Sequence, residues 1–260
     1  MSSSLSMPFD VKLMNLAATA LFSVFIAALL AAGAWWALRN PAFAIAGITV
    51  QGDVSHNSAA TLRANVTPRL AGNFFTVSLD GAREAFESVP WVRKAVVRRE
   101  FPNRLRVRLE EHQAVALWGS DGDARLLNNF GEVFEANAGD VEADELPRLA
   151  GPDDQSAQVL GMYRTLKPMF EPLDLGIDAL ALTARGSWQL ELDNGAAVEL
   201  GRGMPEEVTA RTQRFVQTLN QVASRYSRRP EALVSADLRH GDGYAVRLRG
   251  VTTTAEALKK

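Results

Sequence analysis

There is no cysteine among the 260 residues. That excludes a disulfide framework, thiolate metal sites and thiol catalysis, and it is compatible with an oxidising compartment. Histidine is scarce too. His56, His112 and His240 stand apart in sequence, each at or near a turn or strand end, where a structural or exposed role is the usual one. No G-x-S-x-G, S-x-x-K, H-E-x-x-H or G-x-x-x-x-G-K-[ST] motif occurs. Gly201-Arg202-Gly203 is too short to cradle a phosphate and reads as a turn before a helix. Asp140, Glu142, Asp144 and Glu145 fit no calcium loop and read as a solvated stretch. The expectation is a protein that is not an enzyme, with no cofactor, no metal and no small-molecule substrate. The formal net charge of −2 gives no reason to expect nucleic acid.

One further absence organises the rest. From Leu13 to Leu38 there is no charged side chain, and only Asn15, Thr19 and Ser23 are polar. As a helix the stretch reaches roughly 39 Å, more than the ~30 Å of a bilayer's hydrocarbon. Lipid offers nothing to satisfy a backbone, so the span must be helical. Trp35 and Trp36 sit at its far end, where indoles settle at a headgroup interface. Lys12 and Ala42-Phe43-Ala44 imitate a cleavable signal peptide, but signal cores span only about 7–15 residues. Residues 13–38 are therefore expected to be an uncleaved transmembrane signal anchor. Lys12 and the α-amino group, partly offset by Asp10, face Arg39 alone across it. That balance tilts slightly toward a cytoplasmic N-terminus, making residues 1–12 a short cytoplasmic tail and placing the bulk outside.

Residues 43–113 form a first soluble unit. Phe43 to Val50 reads as a strand closed by the turn Gln51-Gly52-Asp53. Asn57 or Ser58 caps a helix to about Val66, broken by Pro68 and Gly72. Ser78 or Asp80 caps a second, which carries Ala82, Ala85, Phe86 and Val89 and stops before Pro90. Trp91 to Arg99 is rich in β-formers. After Phe101-Pro102-Asn103, Leu105, Val107 and Leu109 alternate with Arg104, Arg106 and Arg108. The order is strand, helix, helix, strand, strand.

Residues 114–250 form a second unit. Ala114 to Trp118 is a strand ended by Gly119. Arg125-Leu126-Leu127 and Val133-Phe134 flank the turn Asn128 to Gly131. Gln155 to Phe170 has helical spacing, with Pro168 and Pro172 marking its end. Leu180–Thr183, Trp188–Leu192 and Val198–Leu200 alternate cleanly, with Asp193-Asn194-Gly195 as a hairpin turn. A helix runs from Pro205 to about Tyr226, with Phe215, Leu219 and Val222 on one face. Ala232–Leu238 and Tyr244–Leu248 are short strands around His240 to Gly243. Residues 251–260 read as a flexible tail.

The residues of the first unit carry a resemblance. Pro90-Trp91-Val92, Val96-Val97-Arg98-Arg99, Phe101-Pro102, Leu105-Arg106-Val107 and Glu110, in a β-α-α-β-β order behind an anchor, resemble a POTRA domain. Leu182-Thr183-Ala184-Arg185 with Ser187-Trp188-Gln189-Leu190 extends the likeness. So do Leu200 to Gly203 before a long helix, and Val234 to Arg239. Over roughly residues 13 to 249 the chain resembles the FtsQ/DivIB family of bacterial division proteins. The resemblance implies a transmembrane helix followed by α+β. That is a POTRA domain, then a mixed α/β domain with an antiparallel-type sheet and an open C-terminal edge strand.

For function it implies a non-enzymatic scaffold of the divisome. It would span the inner membrane once, lie largely in the periplasm and gather at the septum. The second domain would receive FtsB and FtsL type proteins. Arg239, His240, Gly243 and Tyr244 lie where the partner-facing last strand belongs, and Arg185 lies in the matching Thr-Ala-Arg segment. The basic run from Arg93 to Arg108 would serve POTRA recruitment of other division proteins. The alternatives are a POTRA-bearing secretion or outer-membrane assembly factor, which lacks support from any β-barrel pattern, and a membrane-tethered cell-envelope hydrolase.

Overall fold

A computed structural model describes residues 9–52, 54–119, 125–142, 145–241 and 243–251. The Ser-rich start, Asp53, Asp144, Asp242 and the tail from Thr252 lie outside the described residues. Helix α1, Phe9–Arg39, begins earlier than the charge-free run and takes in Asp10 and Lys12. It is long and apolar enough to cross a membrane, with a mean hydropathy of 2.2. Its large side chains are exposed, and no described element covers them. Its two hydroxyls bond within the helix: Thr19 Oγ1 donates to the Asn15 carbonyl at 2.7 Å, and Ser23 Oγ to that of Thr19 at 2.8 Å. Such back-bonding lets hydroxyls sit in lipid.

Two compact units follow from the contacts, one through Glu111 and one from His112. In the first, Pro41–Phe43 form a 3-10 turn. Asn40 Oδ1 accepts the Ala42 N–H at 2.9 Å, and the Phe43 carbonyl takes the Phe74 N–H at 2.8 Å. Residues 43–46 are thereby withheld from the sheet, against the expected strand start at Phe43. Strand β1 is Gly47–Gly52, and Gln51 and Gly52 pair instead of turning. Helix α2, Ala59–Val66, is capped by Ser58 Oγ accepting from the Thr61 N–H. Helix α3, Leu79–Glu87, is capped by Ser78 and buries Ala82, Ala85 and Phe86. Strands β2, Val92–Glu100, and β3, Arg104–Glu111, complete a three-stranded sheet in the order β1-β3-β2. β1 is parallel to β3 and β2 antiparallel to it. Leu105, Val107 and Leu109 face the helices, while Arg104, Arg106 and Arg108 are exposed.

Among the described residues the second unit is one nine-stranded mixed sheet with no barrel. Its strands are β4 (Ala114–Trp118), β5 (Arg125–Asn128), β6 (Val133–Phe134), β7 (Arg148–Ala150), β8 (Ile177–Leu182), β9 (Ser187–Leu192), β10 (Ala197–Arg202), β11 (Leu233–Asp237) and β12 (Ala245–Leu248). The spatial order is β12-β11-β10-β9-β8-β7-β4-β5-β6. Helix α4, Ser156–Phe170, crosses from β7 to the parallel β8, and α5, Pro205–Arg225, from β10 to the parallel β11. The two helices touch each other and share one face of the sheet. Trp188, Leu190, Leu192, Val198 and Leu200 meet them in a common core, while Gln189 and Glu191 are exposed.

Three local readings change. β7 is not visible as a strand in the sequence. Pro168 lies inside the last turn of α4 rather than ending it, and the chain tightens into 3-10 geometry only at Glu171–Leu173. The buried stripe of α5 is Val208, Thr212, Phe215, Leu219 and Ala223, with Val222 only half-buried.

Candidate partner-binding site

β11 and β12 form an antiparallel hairpin, Ala236 opposite Val246 and Asp237 opposite Ala245. β12 is the last strand of the sheet, so one of its edges is unpaired among the described residues. An unpaired edge presents a row of N–H and C=O groups to any extended chain.

Arg239 follows directly from β11. Leu238 N–H still bonds the Glu199 carbonyl of β10 at 2.8 Å, which fixes the point where the chain leaves the sheet. Asp237 then grips Arg239 three ways. Its Oδ1 accepts from the Arg239 backbone N–H at 3.0 Å and from Nε at 2.9 Å, and its Oδ2 accepts from Nη2 at 2.6 Å. The Arg239 side chain is still 58% exposed. A planar guanidinium held along one side is pre-aimed for a carboxylate on the other. The Arg239 side chain, then its backbone N–H, lower the Asp237 carboxyl from 3.8 to about 2. A carboxylate held below its unfolded value lends stability above about pH 4, and that contribution is lost as pH falls toward 2. Asp237 is expected to titrate near 2 by carboxyl NMR, and Arg239→Ala to return it toward 3.8.

Gly201 makes room for this pair. Its φ of +82° lies in the left-handed region, and a Cβ there would stand 2.9 Å from Arg239 Cγ. Gly201→Ala is expected to cost about 1–2 kcal/mol in thermal unfolding and to displace Arg239.

The other expected residues are spread around the same sheet end. Arg185 is exposed in the turn between β8 and β9. The register places that turn at the end of the sheet where β10 and β11 finish. Arg185 and Arg239 therefore share a rim without touching. His240 is exposed, and a Cβ added at Gly243 would meet nothing within 4 Å. Tyr244 points inward. Its ring sits edge-on to Phe215 with centroids 5.1 Å apart, and its hydroxyl meets Thr218 Oγ1 at 2.5 Å. It clamps the start of β12 onto α5. Asp237 and Thr218 were not singled out by the sequence, and Gly201-Arg202, read there as a turn before a helix, ends β10 instead; an Asp two residues before an exposed Arg was the available signal.

The other two histidines are engaged structurally. His56 stacks on Trp91 at 3.9 Å, and His112 on Phe134 at 4.1 Å. Among the described residues no group of three or more His, Asp or Glu could hold a metal ion. The sheet end combines an unpaired backbone edge among the described residues, one cation held in a fixed orientation, Arg239, and a second exposed cation, Arg185.

The comparisons match this architecture piece by piece. The family model for the FtsQ-type POTRA domain matches residues 43–112, and that for the C-terminal region of cell division protein FtsQ/DivIB matches 116–239. Cell division protein FtsQ of Burkholderia pseudomallei is 42% identical over 243 residues, 93% of this chain and 94% of the relative. The chain belongs to the FtsQ/DivIB family. The FtsQ of Bordetella pertussis is 41% identical over 256 residues, covering 92% of each chain. That of Thiomonas arsenitoxydans is 39% identical over 247, covering 94% of this chain and 89% of the relative. Family membership and the apolar α1 mark a cell division protein with a single-pass inner-membrane character. The C-terminal match includes Arg185 and Arg239 and ends before His240, Gly243 and Tyr244.

Proposed function

We propose that this FtsQ-family protein is a non-enzymatic scaffold of the division machinery. Its bulk lies in the periplasm and gathers at the septum. There it captures an extended strand of an FtsB-type partner, together with an FtsL-type companion, on the free edge of β12. The observation that carries the reading is the edge itself, flanked by the oriented Arg239. Backbone pairing gives affinity, and flanking side chains give specificity. Arg239 and Arg185 offer two cations to acidic residues of the partner, His240 borders the same loop, and open space at Gly243 lets a second backbone approach. Tyr244 keeps the receiving strand in place.

The basic run of the POTRA domain recruits further division proteins. Part of it is already neutralised within the unit: Arg93 pairs with Glu110 at 2.7 Å, and Arg106 with Glu100. Arg104 and Arg108 remain exposed for a partner. The anchor confines every contact to one plane, so modest interfaces sum to a firm assembly.

The test is the full chain in lipid nanodiscs, titrated with the extracytoplasmic segment of an FtsB-type protein. Arg239→Glu is expected to weaken binding at least ~100-fold, and Arg239→Lys, which keeps charge without the fork, about tenfold. Equal binding by all three would overturn the site. No binding by the wild type would overturn the partner.

A further inference from the structure

The two outer edges of the POTRA sheet are chemically unlike. β2 carries Arg93, Lys94, Arg98 and Arg99, the kind of charge that guards natural sheet edges against stray pairing. β1 reads Gly-Ile-Thr-Val-Gln-Gly and carries none. Among the described residues it is paired only with β3, on one side. The unguarded edge is not bare surface. A groove runs between β1 and α2, formed by two adjoining hollows. One, of about 330 Å³, includes Ile45, Ile48, Leu70 and Arg63 in its walls. The other, of about 100 Å³, is walled by Ile48, Val50, Leu62, Phe86 and Arg63. Ile48 and Arg63 belong to both walls, so the hollows lie side by side. Arg63 is the one charged residue in either wall, and it is exposed.

We propose that β1 accepts an added strand, an extended segment with apolar residues at alternate positions and a carboxylate for Arg63, from a second membrane-anchored protein. The edge dictates an extended occupant, since only a strand satisfies a row of strand N–H and C=O groups. The paired hollows dictate alternation: side chains two residues apart on one face of a strand are roughly 7 Å apart, and each drops into a hollow. Arg63, with no acidic wall residue beside it, dictates the carboxylate. The anchor dictates the source. Only residues 40–46 separate α1 from β1, at most roughly 25 Å of chain. The occupant is therefore a segment close to the bilayer, such as the stretch just outside another protein's own span. This groove lies in a different unit from β12 and does not rest on the C-terminal reading.

The test uses the full chain in nanodiscs. The probe is a terminally blocked eight-residue peptide alternating valine with threonine and bearing one central glutamate. Saturable binding is expected, with new hydrogen-exchange protection confined to residues 48–51. Arg63→Glu is expected to weaken it about tenfold, and replacing the peptide's glutamate by lysine to restore binding to that variant. Arg239→Glu is expected to leave it unchanged, which separates this site from the C-terminal one. Absence of binding, indifference to Arg63→Glu, or protection appearing at β2 or β12 instead would each overturn the proposal. So would protection of β1 that rises with the number of chains per disc without peptide, which would assign the edge to a second copy.

Discussion

The Glu111→Ala variant is expected to lose about 3 kcal/mol of stability in its POTRA unit. Glu111 ends β3, and its side chain is 2% exposed. Its Oε1 accepts from the Asn57 backbone N–H at 3.1 Å and from Asn57 Nδ2 at 3.0 Å. Its Oε2 accepts from the His56 N–H at 3.0 Å and lies 3.3 Å from His56 Nδ1. This one carboxylate thus satisfies two main-chain donors of the link between β1 and α2. That link enters α2 through Ser58 and packs His56 against Trp91. Alanine leaves those donors without an acceptor, and each buried orphan costs ~1–3 kcal/mol, less where water enters. Glu111→Gln keeps the volume but turns an amide NH₂ toward donors, so about half the loss is expected. Urea titration read by hydrogen exchange at β3 amides measures it, with β9 and β10 amides as the unaffected control. An unchanged midpoint would show that water replaces the carboxylate.

Trp188→Ala is expected to cost the second unit about 4 kcal/mol, within the range for emptying an aromatic site from a packed core. Trp188 is 2% exposed, lies in β9 opposite Leu182 of β8 and Gly201 of β10, and joins the core under α4 and α5. Gly201 is the residue over which Arg239 lies. The cavity therefore opens beneath the strand ends that carry the proposed partner site. Thermal unfolding should shift by several degrees. Partner affinity should fall further than for Leu192→Ala, at the opposite end of β9. Equal effects on affinity would separate the site from this part of the core.

The elements that read directly from the sequence are those whose side chains alternate or recur with one period. β3 shows this with Leu or Val alternating with Arg, β9 with Trp188, Leu190 and Leu192, and α2 and α3 with serine caps ahead of them. What did not read is what depends on partners far along the chain. β7 is three residues with only Leu149 buried, too short for a period, and it is a strand because β4 and β8 flank it. Residues 43–46 look extended, but the Phe43 carbonyl is taken by the N–H of Phe74, far along the chain. Tyr244 looked like a surface residue of an edge strand and is turned inward by Phe215 and Thr218, over twenty residues upstream. The exposed cations Arg185 and Arg239 were legible as types and positions. That Asp237 holds Arg239 in a fixed orientation was not, since the grip depends on where β11 stops.

That short β7 also decides how the sheet carries tension. It is the seam between β4-β5-β6 and β8 through β12. On one side it meets β4 at Leu117 and Trp118; on the other it meets β8 along Arg148, Leu149 and Ala150. A load entering at β4 and leaving at β12 crosses this seam, where few backbone bonds share it and α4 braces β7 and β8 from behind. In a constricting envelope the sheet would then yield at its middle before its rim, so the β11-β12 hairpin would stay joined to β10 through the first rupture of its own platform.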